Sequence, residues 1–201
     1  MEIKLLTNPS DTEIEEIIQI HMKVLTESFL NNFGNKFLEI IYKNLSKSKN
    51  TIILIVKNEK IDGFALATKN YSDFFADALA KKIIGVMLEV LKGIIKKPTI
   101  TPKLLRSVPE MLFKKNEPHA ELQFIAISPN LQGRGFGTLI LNKLDEEFSK
   151  IGVNSYLVGT KEDNTLSNNF YKKNGFIFSH TKKFFGDTLN YYDSPSKLFR
   201  Q

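Results

Sequence analysis

One stretch, residues 121–144, constrains the fold more than any other part of the sequence. Its first seven residues alternate as a strand does, and this predicts that Leu122, Phe124 and Ala126 share one face and the other four residues the opposite face. Pro129 ends the strand, because proline cannot donate to the hydrogen-bond ladder. Apolar residues at helical spacing close the stretch. It therefore predicts a strand, a loop and a helix in direct succession.

The loop of this stretch carries glycine at three alternate positions, Gly133, Gly135 and Gly137. Glycine suits a loop in which the backbone must approach another molecule closely. Where such a loop opens a helix, free N–H groups and the positive end of the helix dipole form an anion site, most often for phosphate. A purely structural turn is the alternative interpretation.

Two other phosphate-binding motifs do not fit the loop. A P-loop requires a lysine after its last glycine, and Thr138 stands there instead. The dinucleotide-binding fingerprint requires glycine at its first, third and sixth positions. Counted from Gly133, the sixth position is again Thr138. Both motifs are therefore excluded.

The spacing of Gln132, Gly135 and Gly137 resembles the pyrophosphate-binding signature of the GNAT superfamily of N-acetyltransferases, Gln-x-x-Gly-x-Gly. The preceding strand, with Ile125 to Ile127 followed by Pro129, is similar to the fourth strand of that family. By this resemblance, backbone groups of the strand and the loop hold the coenzyme.

A second resemblance to the same family lies downstream. In the family, an asparagine, a tyrosine seven positions on and a Gly-Phe pair just after form the second half of the cofactor site. Here these residues are Asn164, Tyr171 and Gly175-Phe176. Two motifs in the family's order identify the chain as a member.

The resemblance implies an α/β (α+β) fold with a mixed, mainly antiparallel sheet that is splayed at its centre and flanked by helices. The order of elements in the N-terminal half, a strand, two helices and a hairpin over residues 51–68, agrees with that fold. We expect a single domain over residues 1–201. The implied acyl-donor cosubstrate is acetyl-CoA.

Residues 72–118 depart from the family pattern, since members commonly connect the third and fourth strands by a short link. Apolar residues at helical spacing over 83–95 predict a helix that Pro98 ends, and a further helix is predicted over 104–113. We expect this helical insertion to cap the substrate cleft. A basic helix resting on a membrane surface and a dimer contact are the alternatives.

Local patterns predict the remaining elements. Ser10 and Glu13 have the spacing of a capping box at the start of the first helix. A strand is predicted over 153–158, a helix over 164–174, and a closing hairpin that turns near Gly186.

The composition and net charge of the chain exclude some classes of function. The sequence contains no cysteine, which excludes thiolate nucleophiles and cysteine metal sites, and its three histidines are too scattered to predict a metal site. A net charge of +6 favours an anionic partner such as a coenzyme, and no nucleic-acid-binding motif accompanies it. The expected location is cytoplasmic, because no apolar secretory or membrane-spanning run is present. We expect a monomer or a homodimer.

The resemblance implies a role for each motif residue. Pantetheine should run beside the fourth strand, with the amide of Ile125 as the oxyanion donor and that of Ile127 as the alternative. Asn164 should bind the pantetheine arm. The residues implied to contact the coenzyme are Ile125, Ala126, Ile127, Gln132, Gly133, Arg134, Gly135, Phe136, Gly137, Thr138, Asn164 and Tyr171.

Acyl transfer to an amine requires a base, an oxyanion donor and an acid. Tyr171 matches the family's tyrosine that protonates the leaving thiolate, with simple packing as its alternative role. Glu121 resembles the fourth-strand glutamate that acts as base in some members, and a solvated or substrate-gripping glutamate is the alternative. His119 is the alternative base or a relay, whereas we expect His21 to be a packed or surface residue.

These inferences predict an acetyl-CoA-dependent N-acetyltransferase that acts on the primary amine of a small molecule by direct attack in a ternary complex. An amino sugar or sugar nucleotide would suit the basic insertion. A protein lysine or N-terminal acetyltransferase is the first alternative, and a non-catalytic acetyl-CoA sensor is the second.

Overall fold

Seven strands form one sheet in the order β1-β2-β3-β4-β5-β7-β6. The structure is a computed structural model that describes residues 1–79, 83–102, 104–105, 119–184 and 186–195. The strands are β1 Glu2–Leu5, β2 Thr51–Lys57, β3 Ile61–Thr68, β4 Glu121–Ile127, β5 Leu157–Lys161, β6 Ile177–Phe184 and β7 Asp187–Asp193. The only parallel contact in this sheet, among the described strands, is between β4 and β5. The mixed, mainly antiparallel sheet is therefore confirmed.

Helices cover both faces of the sheet. The α-helices within the described residues are α1 Asp11–Val24, α2 Gly34–Leu45, α3 Tyr71–Leu79, α4 Ile83–Lys96, α5 Phe136–Lys150 and α6 Thr165–Lys173. One apolar cluster packs α1 to α4 against Ile55, Phe64 and Leu66 of the sheet. The other packs α5 and α6 against Leu54 and Val158 on the opposite face. The alternation of strand side chains supplies apolar residues to both clusters.

The β4 and β5 strands pair over two residues and then diverge. The paired residues are Glu121 with Leu157 and Leu122 with Val158. Along its other edge β4 stays paired with β3 as far as Ile127. The sheet is therefore splayed at its centre, as expected, and the splay begins directly after Leu122.

A bulge at Gln123 changes which way the start of β4 faces. Leu66 pairs with Phe124, but the next residue of β3, Ala67, pairs with Leu122, so Gln123 is an extra residue. Phe124 therefore packs on the α1–α4 side, whereas Leu122 packs on the α5 side. The prediction that Leu122 and Phe124 share a face was wrong, because the bulge interrupts the two-residue period.

The first helix begins at the predicted capping box. The Ser10 hydroxyl accepts from the Glu13 N–H at 3.2 Å, and the Glu13 carboxylate accepts from the Ser10 N–H at 3.1 Å. The other Glu13 oxygen binds Lys57 Nζ at 2.8 Å, which ties α1 to β2. The cap therefore also sets where α1 lies on the sheet.

The inserted segment between β3 and β4 contains α3 and α4. The α4 helix ends at Lys96, which confirms the prediction that the helix over 83–95 ends before Pro98. Phe74, Ala78 and Val86 pack into the cluster that α2 shares with the sheet. The helix predicted over 104–113 falls, apart from its first two residues, outside the described residues.

The outer face of α4 is apolar and exposed. Ile84, Met87, Leu91 and Ile95 recur at helical spacing, and each exposes at least 53% of its surface. The inner face packs on α2 instead. Among the described residues, no helix has the length and apolar character needed to cross a membrane.

The predicted strand over 153–158 was wrong in its first four residues. The Val153 N–H donates to the Phe148 carbonyl and so closes the end of α5. Tyr156 donates its N–H to Ser194 Oγ at 2.9 Å, and β5 begins only at Leu157. Residues 153–156 therefore complete the end of α5 and contact Ser194, and strand pairing starts only after them. The helix over 164–174 and the closing hairpin are confirmed as α6, β6 and β7.

We predict that Ser10→Ala lowers the free energy of unfolding by about 1 kcal/mol, because the Glu13 N–H loses its acceptor. Urea unfolding followed by circular dichroism measures the change. Ser155→Ala, at an exposed and irregular position, serves as the control and should leave stability unchanged. Equal stabilities of Ser10→Ala and the parent chain would show that the cap contributes nothing.

Candidate active site

The splay leaves one edge of β4 open from Gln123 to Ile127. Within the described residues, β5 pairs with β4 only before that point. Ile125 is half-buried against the α5-side cluster, and Ala126 is buried against α1 and α2. The Ile127 carbonyl accepts from Gln132 Nε2 at 2.9 Å, so this carbonyl is already bonded within the chain. Within the described residues, no strand pairs with the other backbone groups of β4 along this edge, so these groups are open to an extended ligand.

The glycine loop follows directly and opens α5. Gly133 and Gly135 have φ of +73° and +85°, and Gly135 is the N-cap residue of the helix. This left-handed backbone strongly favours glycine, because a Cβ would clash with the carbonyl oxygen. Gln132 holds the loop against β4, and the Arg134 side chain is exposed beside it.

The start of α5 presents unsatisfied N–H groups. The first intrahelical bond of the helix runs from the Leu139 N–H to the Gly135 carbonyl at 3.0 Å. The amides of Phe136, Gly137 and Thr138 precede that bond, and no side chain caps the helix start. These amides and the positive end of the helix dipole are groups that could hold an anion. The arrangement fits a pyrophosphate group.

The α6 helix lies against this loop. A Cβ placed on Gly137 would lie 3.0 Å from the Phe170 ring, so glycine permits a close approach of α5 and α6. Asn164 caps α6, because its Oδ1 accepts from the Ser167 N–H at 3.0 Å. The cap uses only Oδ1, which leaves the Nδ2 hydrogens of Asn164 for a ligand. The predicted pantetheine contact of Asn164 stays a prediction.

A buried asparagine fixes α6 on the sheet. Asn168 Nδ2 donates to the Lys161 carbonyl of β5 at 2.8 Å. Its Oδ1 accepts from the Tyr192 hydroxyl of β7 at 2.6 Å. Because Tyr171 follows one turn later on the same helix, these bonds set the position of its phenol. The sequence analysis missed Asn168, since an asparagine inside a helix pattern carries no signal of its own.

Tyr171 is buried in the α5-side cluster. Its ring packs against Phe170, Phe176 and Tyr192, with ring centroids 5.3 to 6.2 Å away. Burial raises the pKa of Tyr171 well above its ordinary value. The phenol therefore stays protonated at neutral pH, as a proton donor must.

Glu121 lies on the opposite face of the sheet from Tyr171. The bulge turns Leu122 into the Tyr171 cluster, so Glu121 faces the α1–α4 side. Its side chain is 7% exposed, and Oε2 lies 2.9 Å from His119 Nε2. Burial raises the pKa of Glu121, and the His119 hydrogen bond opposes that rise. A carboxylate with a raised pKa in a cleft is suited to accept a proton.

Two tyrosines that the sequence analysis missed stand near Glu121. Burial raises the pKa of both Tyr71 and Tyr191, and the negative charge of Glu121 adds to each rise. The Tyr191 ring stacks on His180, with centroids 4.9 Å apart. Tyr71 comes from α3 and Tyr191 from β7, so no spacing along the chain could have connected them to Glu121.

His21 is a packed residue, as expected. It is fully buried, and its ring nitrogens lie 2.7 Å from the Tyr42 hydroxyl and 3.0 Å from Ser28 Oγ. Burial lowers the pKa of His21 to about 4, so the ring is neutral at neutral pH. These contacts anchor the connection between α1 and α2. Over the described residues, no group of three or more His, Asp or Glu side chains could hold a metal ion.

Residues 15–176 match the acetyltransferase (GNAT) family. No curated protein matches the chain. Similar solved structures include an N-acetyltransferase from Staphylococcus aureus, with 15% identity, coverage of 96% of this chain and 100% of that chain, and a TM-score of 0.63. A ribosomal-protein-alanine N-acetyltransferase from Brucella melitensis shows 15% identity, coverage of 96% and 99%, and a TM-score of 0.61. At these identities the likeness shows a common fold.

We predict that the free energy of unfolding falls by up to about 3 kcal/mol between pH 7 and pH 4 because of His21 alone. The folded pKa of about 4 lies below the unfolded value of 6.5, so the unfolded chain binds the proton first as the pH falls. This loss begins near the unfolded pKa and is complete below the folded one. Urea unfolding as a function of pH, compared between the parent chain and His21→Gln, measures it. The exposed His180→Gln is the control, and identical pH dependence in all three proteins would contradict the prediction.

Proposed function

The chain belongs to the GNAT acetyltransferase family, and from that membership we propose that it transfers the acetyl group of acetyl-CoA to the primary amine of a small molecule. One observation carries the proposal. The buried carboxylate of Glu121 lies at the last paired residues of β4 and β5, and the protonated phenol of Tyr171 is buried in the apolar cluster on the opposite face of the sheet. A coenzyme in the splay would therefore meet the amine on one side and the acid on the other.

The residues that would hold the coenzyme are those of the open β4 edge and the start of α5. Backbone groups of Ile125 and Ile127 alternate with the Ala126 groups that bond β3 and so point to the splay, and the amides of Phe136, Gly137 and Thr138 precede the first intrahelical bond of α5. Arg134 adds a positive charge next to the proposed pyrophosphate site. Bound acetyl-CoA supplies the thioester whose acetyl group is transferred.

The base in this proposal is Glu121. Its carboxylate takes a proton from the acceptor, so that the amine nitrogen can attack the thioester carbonyl carbon in a ternary complex. The backbone amide of Ile125, with that of Ile127 as the alternative, stabilises the negative charge on the carbonyl oxygen. As the carbon–sulfur bond breaks, Tyr171 donates its phenolic proton to the leaving sulfur. The nitrogen releases its extra proton to solvent as the amide forms, and the phenolate regains a proton from solvent.

The acceptor class that we favour is a small amine that also carries negative charge, such as an amino sugar nucleotide. Lys96 and Lys97 are exposed at the end of α4, and α3 and α4 pack over the α2 side of the fold. This positive surface on the acceptor side supports an anionic acceptor.

A second candidate is acetylation of a protein N-terminus or lysine. Two structures with this fold are named as ribosomal-protein-alanine N-acetyltransferases; the Escherichia coli one shows 14% identity, coverage of 97% of this chain and 93% of that chain, and a TM-score of 0.58. Mass spectrometry of acetylated proteins, before and after the enzyme is added to an extract, separates the two candidates.

We predict that Glu121→Gln and Tyr171→Phe each lower the rate of CoA release by about 10²- to 10⁴-fold, because each removes one proton-transfer group. Free thiol is measured with acetyl-CoA and a library of primary amines. Tyr156→Phe, a buried tyrosine of the same cluster, and the exposed Glu162→Gln are the matched controls and should keep parent activity. If no amine supports CoA release, the small-molecule proposal fails; parent rates in both active-site variants would remove the acid–base assignment.

We also predict that Gly135→Ala weakens CoA binding at least about tenfold, since a residue with a Cβ moves the α5 amides away from the pyrophosphate. Isothermal titration calorimetry measures the dissociation constant. Gly152→Ala is the matched control, because Gly152 has a similar φ of +76° but follows the far end of α5. Equal dissociation constants in the two variants would contradict the proposed pyrophosphate site.

A further inference from the structure

The inserted segment leaves the core at Tyr71 and returns to it at His119. The Tyr71 N–H donates to the His119 carbonyl at 2.8 Å. The two rings stack with centroids 5.1 Å apart and planes 23° apart. One backbone bond and one ring contact thus hold the two ends of the insertion side by side. We refer to this pair as the Tyr71–His119 clamp.

The clamp reaches the carboxylate of Glu121 directly. His119 and Glu121 are two positions apart on an extended backbone, so their side chains share a face. His119 Nε2 and Glu121 Oε2 are 2.9 Å apart. An ionised carboxylate only accepts hydrogen bonds, so Nε2 carries the hydrogen when Glu121 is charged. The exposed fraction is 29% for the His119 side chain and 7% for that of Glu121.

We propose that His119 is a positioning residue that orients Glu121 for proton transfer, and that Tyr71, by supporting the His119 ring, makes the start of α3 part of the acceptor site. This proposal rests on the proposed role of Glu121 as the base. One carboxylate oxygen is held by His119, which fixes the rotation of the carboxylate. The other oxygen is then the one that meets the amine.

His119 also affects the pKa of Glu121, and so the pH above which the carboxylate is ionised and can accept a proton. Burial is the main cause that raises the pKa of Glu121, and the His119 hydrogen bond is the main cause that lowers it. The other titratable groups facing Glu121 are Tyr71 from α3, Tyr191 from β7 and Lys182 from β6. Neither tyrosine ionises near neutral pH, because burial raises the pKa of both. Loss of the His119 bond therefore leaves only the Gln123 amide and the Lys182 charge to oppose the effect of burial on the pKa of Glu121.

The kinetic test is the pH profile of kcat/KM for the best amine acceptor. In His119→Gln the acidic limb is expected to move to higher pH by about one unit, with the rate returning toward the parent value at high pH. Tyr71→Leu, which removes the stacked ring, should move the limb in the same direction, whereas Tyr71→Phe keeps the ring and should not. A purely structural role would lower the rate equally at every pH. A His119→Gln profile that superimposes on the parent profile, or that falls uniformly, overturns the proposal.

A second test needs no turnover and keeps His119 in place. The chain has three histidines, so two-dimensional NMR of histidine-labelled protein resolves His21, His119 and His180 as separate signals. Glu121→Gln should move the titration of His119 to lower pH by about one unit, because a carboxylate beside the ring favours its charged form. The signals of His21 and His180 should stay in place. Glu162→Gln, at an exposed glutamate, is the control and should move none of the three.

The two tests separate the failure of this proposal from failure of the proposed function. An unmoved His119 signal in Glu121→Gln overturns the positioning role whether or not the protein turns over any amine. A moved signal without turnover by any amine supports the pairing and counts against the proposed small-molecule function. Turnover with parent-like pH dependence in His119→Gln leaves the function standing and removes the positioning role.

Discussion

The early end of pairing between β4 and β5 is the constraint on which the rest of the site depends. Only Glu121 and Leu122 pair with β5, and the bulge at Gln123 follows immediately. From there the two strands separate, and no strand among the described residues pairs with that edge of β4. Unpaired buried backbone groups are costly unless something bonds to them, so this edge is the position that the proposed coenzyme would occupy. The glycine loop and the start of α5 follow at the end of the same strand.

The same bulge places Glu121 and Tyr171, the two proposed proton-transfer groups, on opposite faces of the sheet. Because it adds one residue, Leu122 joins the apolar cluster of Tyr171, and Glu121 turns to the opposite face. A buried carboxylate is costly to ionise without a partner, and His119 supplies one. Since His119 is also one end of the inserted segment, the two helices of that segment are connected to the carboxylate by a single side chain. His119 therefore links the start of α3 to the carboxylate that we propose as the base.

Features decided by neighbouring residues could be predicted. The capping box of Ser10 and Glu13, the end of α4 before Pro98 and the glycine loop all depend on backbone groups a few residues apart. Features that depend on contacts across the sheet could not be predicted from the sequence. The face of Leu122 depends on a register shift against β3, and the late start of β5 depends on a bond from Tyr156 to Ser194. The same holds for Tyr71 and Tyr191, which approach Glu121 from different elements.

The sequence by itself determined the family, because two motifs with fixed spacing each act through local backbone geometry. Spacing along the chain specifies a loop or a helix start, where the interacting groups are sequence neighbours. Tertiary structure alone decided which side chains surround the carboxylate, which oxygen His119 holds and which face of the sheet Glu121 and Tyr171 each occupy. Those arrangements depend on strand register and on helix packing across the sheet, where a one-residue bulge reverses a side chain's direction without any mark in the alternation of the sequence.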